Sequence, residues 1–328
     1  MDHTKQQATA LSAVIVVLAC LAVFMSTASF EVWGGLMLLP ILAAVNLPLV
    51  VLFMRRRHPD LMKIVVVGFF LKMIGTLLRF YVFSSVYGGA ADSAYYYRSG
   101  TGLAAAVRSG AASWTEVLPF ARELRFMSKL TALVLTLTGP TRIGAFLVFG
   151  AMGFWGAVFL LAAGCRAIPG LSQRRYAWLC MLTPTLVFWP SSLGKEAWLL
   201  LCVGGFSLGL ANLLTWYHPG RSGLLAFAAA LGIGAVRLHL IVIFLTGATL
   251  ALMQRVALPS ARRKHGNKLG AFVIGLVAVG VIGTIGVAFV RNVNLGKSNG
   301  DLLNVVDDAL GRVENMSEAG GSAYSPIN

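Results

Sequence analysis

Apolar runs separated by polar connections recur along the whole chain, near residues 8–28, 33–54, 64–87, 143–165, 176–190, 197–215, 223–236, 240–253 and 269–290. Most approach the roughly 20 residues that carry a helix across about 30 Å of hydrocarbon. The pattern predicts an all-α, polytopic helical membrane protein with about nine apolar segments. Two stretches depart from the simple span. Residues 130–138 are too short to cross. The pair 223–236 and 240–253 is divided by Val236-Arg237-Leu238-His239, and each half is only about 21 Å long as a helix. This predicts two short helices that meet near Arg237. From Trp114 to about Leu137, the apolar positions Trp114, Val117, Leu118, Ala121, Leu124 and Phe126 predict an amphipathic helix lying along the outer interface.

Composition agrees with the pattern. The chain is 57% hydrophobic and 12% charged, against about 25% charged in soluble domains. That excludes an ordinary cytosolic enzyme, a disordered chain and a disulfide scaffold. The net charge of +15 would suggest nucleic acid in a soluble protein. Here the basic residues sit between apolar runs, so membrane topology and anionic lipid explain them and no nucleic-acid partner is expected. Four basic clusters matter: Arg55, Arg56, Arg57 and Lys63; Arg166, Arg174 and Arg175; Arg221; and Arg255 through Lys268. They share one side only if 223–253 enters and returns and 130–138 does not cross. With Lys5, fourteen basic residues then face the cytoplasm together with the amino terminus. The chain divides into a transmembrane domain, 1–290, with an outer-face loop, 88–142, and an outer-face tail, 291–328, carrying one helix over 301–315. Cys20, Cys165, Cys180 and Cys202 lie within or at the ends of apolar runs, form no CxxC pair and read as small hydrophobes.

The candidate chemistry gathers on the predicted outer side. Asp92 follows Gly88-Gly89-Ala90-Ala91 and precedes Ser93-Ala94-Tyr95-Tyr96-Tyr97. A carboxylate there can take a proton from a sugar hydroxyl or hold a metal, and the three tyrosines offer rings and hydroxyls to a sugar. The competing reading is an N-cap for a helix that begins at Ser93. Lys72 lies about 13 Å along the helix from Lys63, deep in hydrocarbon, and is expected to face a polar cavity or a partner acid. Arg79 lies two turns further on roughly the same face, where it snorkels to headgroups or meets a ligand.

Two later segments add cations. In Phe188-Trp189-Pro190-Ser191-Ser192-Leu193-Gly194-Lys195-Glu196-Ala197-Trp198, Pro184 and Pro190 break helices, and Ser191 and Ser192 offer hydroxyls. Lys195 is a point charge suited to phosphate, and Glu196 stands beside it. The alternative is an interfacial turn anchored by Trp189 and Trp198. Arg237, flanked by Leu238 and His239, interrupts an apolar stretch at membrane depth and suits a lipid-linked phosphate, against the plainer reading of an exposed hairpin. Arg122, Glu123, Arg125 and Lys129 read as headgroup contacts. No P-loop, GxGxxG, HExxH or GxSxG occurs.

These pieces together resemble integral-membrane glycosyltransferases of the GT-C type, which use polyprenyl-phosphate-linked sugars, and bacterial membrane proteins of surface-polysaccharide assembly. The resemblance rests on Asp92 with Tyr95–Tyr97, on 188–196, on Arg237-Leu238-His239, and on Gly320-Gly321-Ser322-Ala323-Tyr324. It implies Asp92 as catalytic base. It also implies a substrate site drawn from Tyr95, Tyr96, Tyr97, Lys72, Arg79, Ser191, Ser192, Lys195, Glu196, Arg237 and His239. The implied partners are a polyprenyl-linked sugar or glycan, membrane lipid, and other proteins of envelope-polysaccharide assembly. No cofactor is assigned, and a divalent metal is left open. The implied setting is the bacterial cytoplasmic membrane. Similar proteins continue past Ser322-Ala323-Tyr324 into further spans, which implies an incomplete carboxyl terminus. Two rival readings remain: an O-antigen-type polymerase, and a non-catalytic flippase or assembly partner for lipid-linked glycan.

Overall fold

The computed structural model describes residue 19 and residues 23–55, 58–89, 91–117 and 123–257. Most of the first apolar run, Cys20, the run 269–290 and the tail with its 301–315 helix lie outside the described residues. The described residues are helical and contain no strand. The helices are α1 (Phe30–Leu36), α2 (Leu38–Arg55), α3 (Met62–Tyr81), α4 (Asp92–Arg108), α5 (Glu123–Thr138), α6 (Arg142–Ala167), α7 (Gln173–Leu182), α8 (Pro184–Phe188), α9 (Lys195–Leu214), α10 (Pro219–Gly234) and α11 (Leu238–Ala257). Among the described residues, four stretches are long and apolar enough to cross a membrane: Phe30–Arg55, Pro59–Val86, Arg142–Ala167 and Lys195–Leu214.

Helix α6 is the axis of the bundle because one of its faces is nearly bare. Gly150, Gly153 and Gly156 recur every three residues. A Cβ on Gly150 would collide with the Thr76 hydroxyl, one on Gly153 with the Pro190 carbonyl, and one on Gly156 with the backbone of Leu200 and Leu201. Small residues let helix backbones approach where lipid supplies little hydrophobic drive. These contacts also set directions. Thr76 meets Gly150 while Phe69 stacks on Phe154 at 5.2 Å, so α3 runs antiparallel to α6. Leu200 meets Gly156 and Leu208 clusters with Ala162, so α9 runs parallel to it. Gly209 faces Ala226 and Gly232 faces Cys202, so α10 returns antiparallel to α9. Across the bundle, buried Asn46 of α2 accepts a hydrogen bond from Trp155 Nε1 at 2.7 Å.

The bundle has two distinct ends. At one, Arg166 lies over the Tyr217 ring at 4.0 Å and His58 Nδ1 meets Gln173 Oε1 at 3.1 Å, which joins three connections that carry basic residues. At the other, Tyr97 Oη donates to the Pro140 carbonyl at 2.7 Å. Arg142 stacks over Tyr97 at 4.8 Å, and Glu31 Oε1 accepts the Arg142 and Ile143 backbone N–H groups at 2.6 and 3.1 Å. A carboxylate at a helix N-terminus satisfies otherwise orphaned donors and suits the helix dipole.

Several expectations are revised. The amphipathic helix does not run unbroken from Trp114. Trp114–Val117 is a separate 3-10 turn, and α5 begins at Glu123. Its buried face is Phe126, Met127, Leu130, Thr131, Val134 and Leu135. That stripe packs α5 against α4 and α6, and Gly100 of α4 lies against Thr131 and Ala132. The stretch 176–190 is not one helix: α7 stops at Leu182, α8 starts at Pro184, and a 3-10 turn covers Trp189–Ser191. Helices α10 and α11 outrun their apolar runs, at 16 and 20 residues.

Lys72 shows how the break at Pro190 is sealed. A helix carbonyl accepts from the N–H four residues on, and for Leu186 that residue is proline, which has none. Lys72, buried on α3, donates to the Leu186 carbonyl at 2.6 Å instead. It therefore faces a backbone acceptor rather than an acid or a polar cavity. Lys72→Met should leave that carbonyl unpaired and cost about 1–3 kcal/mol. A lower melting temperature of the detergent-solubilised protein would register the loss, and an unchanged melt would refute this role.

Candidate functional site

Glu196 and Arg237, from elements far apart in sequence, pair where α9 begins and α10 ends, and together with Asp92 they act on Tyr96 of α4. Asp92 is the first residue of α4, after an extended Ala91. The N-cap position falls on Ala91, and the Asp92 side chain is exposed in the first turn. The N-cap reading therefore fails, and the carboxylate is left for other work. Arg237 occupies the break between α10 and α11. Trp198 of α9 donates its Nε1–H to the Gly232 carbonyl at 2.9 Å, and Phe126 stacks on Trp198 at 5.2 Å. This brace fixes the end of α10 beside the start of α9. Arg237 Nη2 consequently lies 3.9 Å from Glu196 Oε1, with both side chains about half exposed, 43% and 48%. Such a pair contributes at most about 1 kcal/mol, so a stronger anion can displace it.

Tyr96 ties the site together. Three successive helical residues point about 100° apart, so the tyrosines of 95–97 do not act as one surface. Tyr95 is exposed, Tyr97 is committed to Pro140 and Arg142, and Tyr96 is buried at 1% exposure. Burial pushes the Tyr96 hydroxyl above its usual pKa, and the nearby Asp92, Glu196 and Tyr95 push it further, while Arg237 opposes them. The phenol therefore stays protonated at neutral pH and remains a hydrogen-bond donor within the field of two acids and a guanidinium.

The remaining candidates divide. Lys195 is half-buried at the start of α9, and His239 is exposed in the first turn of α11. Ser191 donates to the Val187 carbonyl and Ser192 to the Trp189 carbonyl at 3.5 Å, so both hydroxyls brace the broken turn. Lys72 is spent on Leu186. Arg79 stands among Tyr87, Phe188 and Trp189. Trp198, read from sequence as an interfacial anchor, is instead the brace between α9 and α10. Glu31 went unnoticed, although a lone acid inside an apolar stretch was a signal for it.

Among the described residues no three of His, Cys, Asp and Glu gather to hold a metal. Cys165, Cys180 and Cys202 are free and buried or half-buried. A groove of about 620 Å³ lies at the opposite, basic end, lined by Asp60, Lys63, Arg174 and Trp178 among others. Its lining brings an acid and cations together but no phenol. No known protein family, curated protein or solved structure matches the chain.

Proposed function

We propose that this chain is a membrane glycosyltransferase that takes its sugar from a polyprenyl-phosphate-linked donor during assembly of bacterial surface polysaccharide or glycan. The reading is supported by exposed Asp92 and the loosely paired Glu196 and Arg237 all acting on the buried Tyr96 at one end of an apolar bundle. Arg237, with Lys195 beside Glu196, neutralises the donor phosphate. Tyr95, exposed beside Asp92, holds the acceptor. The acceptor oxygen attacks the anomeric carbon, the bond from that carbon to the phosphate oxygen breaks, and its electron pair leaves on polyprenyl phosphate. Asp92 takes the proton of the attacking hydroxyl.

The proposal places the Asp92 end on the outer face of the bacterial cytoplasmic membrane and the amino terminus in the cytoplasm. The basic connections at the opposite end support that sidedness. The nine-segment count, with α10 and α11 entering and returning, belongs to the same proposal. Other envelope-assembly proteins are its expected neighbours.

Arg237→Ala should weaken binding of polyprenyl phosphate by about ten- to a hundred-fold, the range for losing charge-assisted hydrogen bonds. Titration of the solubilised protein with that lipid measures it. Equal affinity in wild type and variant would remove Arg237 from the donor site.

A further inference from the structure

We infer that Arg79 and the rings around it form a binding site for a lipid-borne phosphate, separate from the site at Asp92 and Arg237. The Arg79 guanidinium carbon lies 4.8 Å from the Trp189 ring centre, 5.1 Å from Phe188 and 5.7 Å from Tyr87. Ring faces stabilise the charge but give an N–H little to bond to. Nε and Nη1 are buried and meet no acceptor. Buried donors in folded proteins nearly always have partners, and an orphaned pair on one guanidinium calls for an explanation. The third nitrogen, Nη2, is not among the sealed atoms. Both bidentate edges of a guanidinium, Nε with Nη2 and Nη1 with Nη2, include that nitrogen. An oxyanion arriving at Nη2 therefore picks up a buried donor as its second contact, which is the fork geometry that phosphate prefers.

The surroundings specify a lipid rather than free phosphate. Arg79 lies in the last turn of α3, near the end of the apolar stretch Pro59–Val86, which is headgroup depth for a span of that length. Directly after it the chain widens into a π-helical turn, Val82–Val86, a form that frequently marks functional sites. Gly88 and Gly89, both with positive φ, then turn the chain away. On another face of α3, Ile74, Leu78 and Tyr81 repeat at helical spacing and are all more than half exposed, which sets this length of the helix against hydrocarbon. Trp189, itself half exposed beside the non-helical Pro190, is the wall that can swing to admit the head. None of the three ring partners belongs to the Asp92 site.

The test uses the full chain in detergent, carrying Arg237→Ala so that the other proposed phosphate site is removed, and polyprenyl phosphate as the probe. Adding Arg79→Gln should lower affinity about tenfold or more without lowering the melting temperature. Arg79→Lys should also weaken binding, because an ammonium keeps the charge but not the fork. Should Arg79→Gln fail to fold, Arg79→Lys, which keeps the positive charge, decides the test. Millimolar inorganic phosphate should not displace the lipid. Affinity unchanged by Arg79→Gln, full retention by Arg79→Lys, or displacement by inorganic phosphate would each overturn the assignment. If Arg237→Ala alone leaves binding untouched while Arg79→Gln abolishes it, the Arg237 donor site fails and this one stands.

Discussion

Asp92→Asn is expected to lower sugar transfer by about 10²–10⁴-fold, the usual contribution of a positioned general base, with affinity for polyprenyl phosphate nearly unchanged. Asparagine keeps the size of the side chain and loses only the ability to take a proton. Asp92 is exposed in the first turn of α4, after the N-cap Ala91, so the substitution costs at most the helix-dipole contribution of about 0.3–1 kcal/mol. A separation of turnover from binding is therefore the signature of the base. Release of polyprenyl phosphate from a polyprenyl-phosphate sugar, followed chromatographically, gives the turnover. Wild-type release by Asp92→Asn would move the base elsewhere. Release by neither protein, with lipid-linked glycan still carried across vesicles, would favour a flippase.

The largest effect on stability is expected from Gly156→Val. Its Cβ would run into the Leu200 and Leu201 backbone, and Gly204 packs equally tightly against the Gly156 carbonyl from the other side. Flexible side chains can move aside, but two helix backbones cannot without parting. Overpacking typically costs about 1–3 kcal/mol and more when backbone must shift. Helices α6 and α9 form the most extensive pairing in the bundle. The variant should lose most of its cooperative melt in detergent, whereas Gly102→Ala, with open space around its Cβ, should not. A normal melt for Gly156→Val would mean that α6 and α9 are not in close contact.

Some of this arrangement was legible in the linear chain and some was not. Long apolar runs marked helices, since hydrocarbon length and composition alone decide that. The polar interruption at Arg237 coincides with the break between α10 and α11, because a charged residue between two apolar stretches is poorly accommodated inside one helix. Residue 186 was harder to read. The need for Lys72 becomes visible only when the proline four residues after Leu186 is matched to a lysine 114 positions away. The three tyrosines looked like one aromatic surface in sequence, yet helical geometry sends them to solvent, to the core and to Pro140. The pairing of Glu196 with Arg237 depends on Trp198 and Gly232, a contact between helices that no local periodicity encodes. The partners that bury the face of α5 lie on α4 and α6, which no local periodicity names.

The central claim is that a lipid-linked phosphate meets the protein where Asp92, Glu196 and Arg237 converge. Photo-crosslinking tests it most directly, using a polyprenyl phosphate that carries a photoreactive group next to the phosphate, with labelled peptides located by mass spectrometry. Label on the peptides carrying Tyr95–Tyr97 and Arg237, reduced by Arg237→Ala, is the result expected here. Label confined to the opposite end, around Lys63 and Arg174, with none on those peptides, would contradict the account.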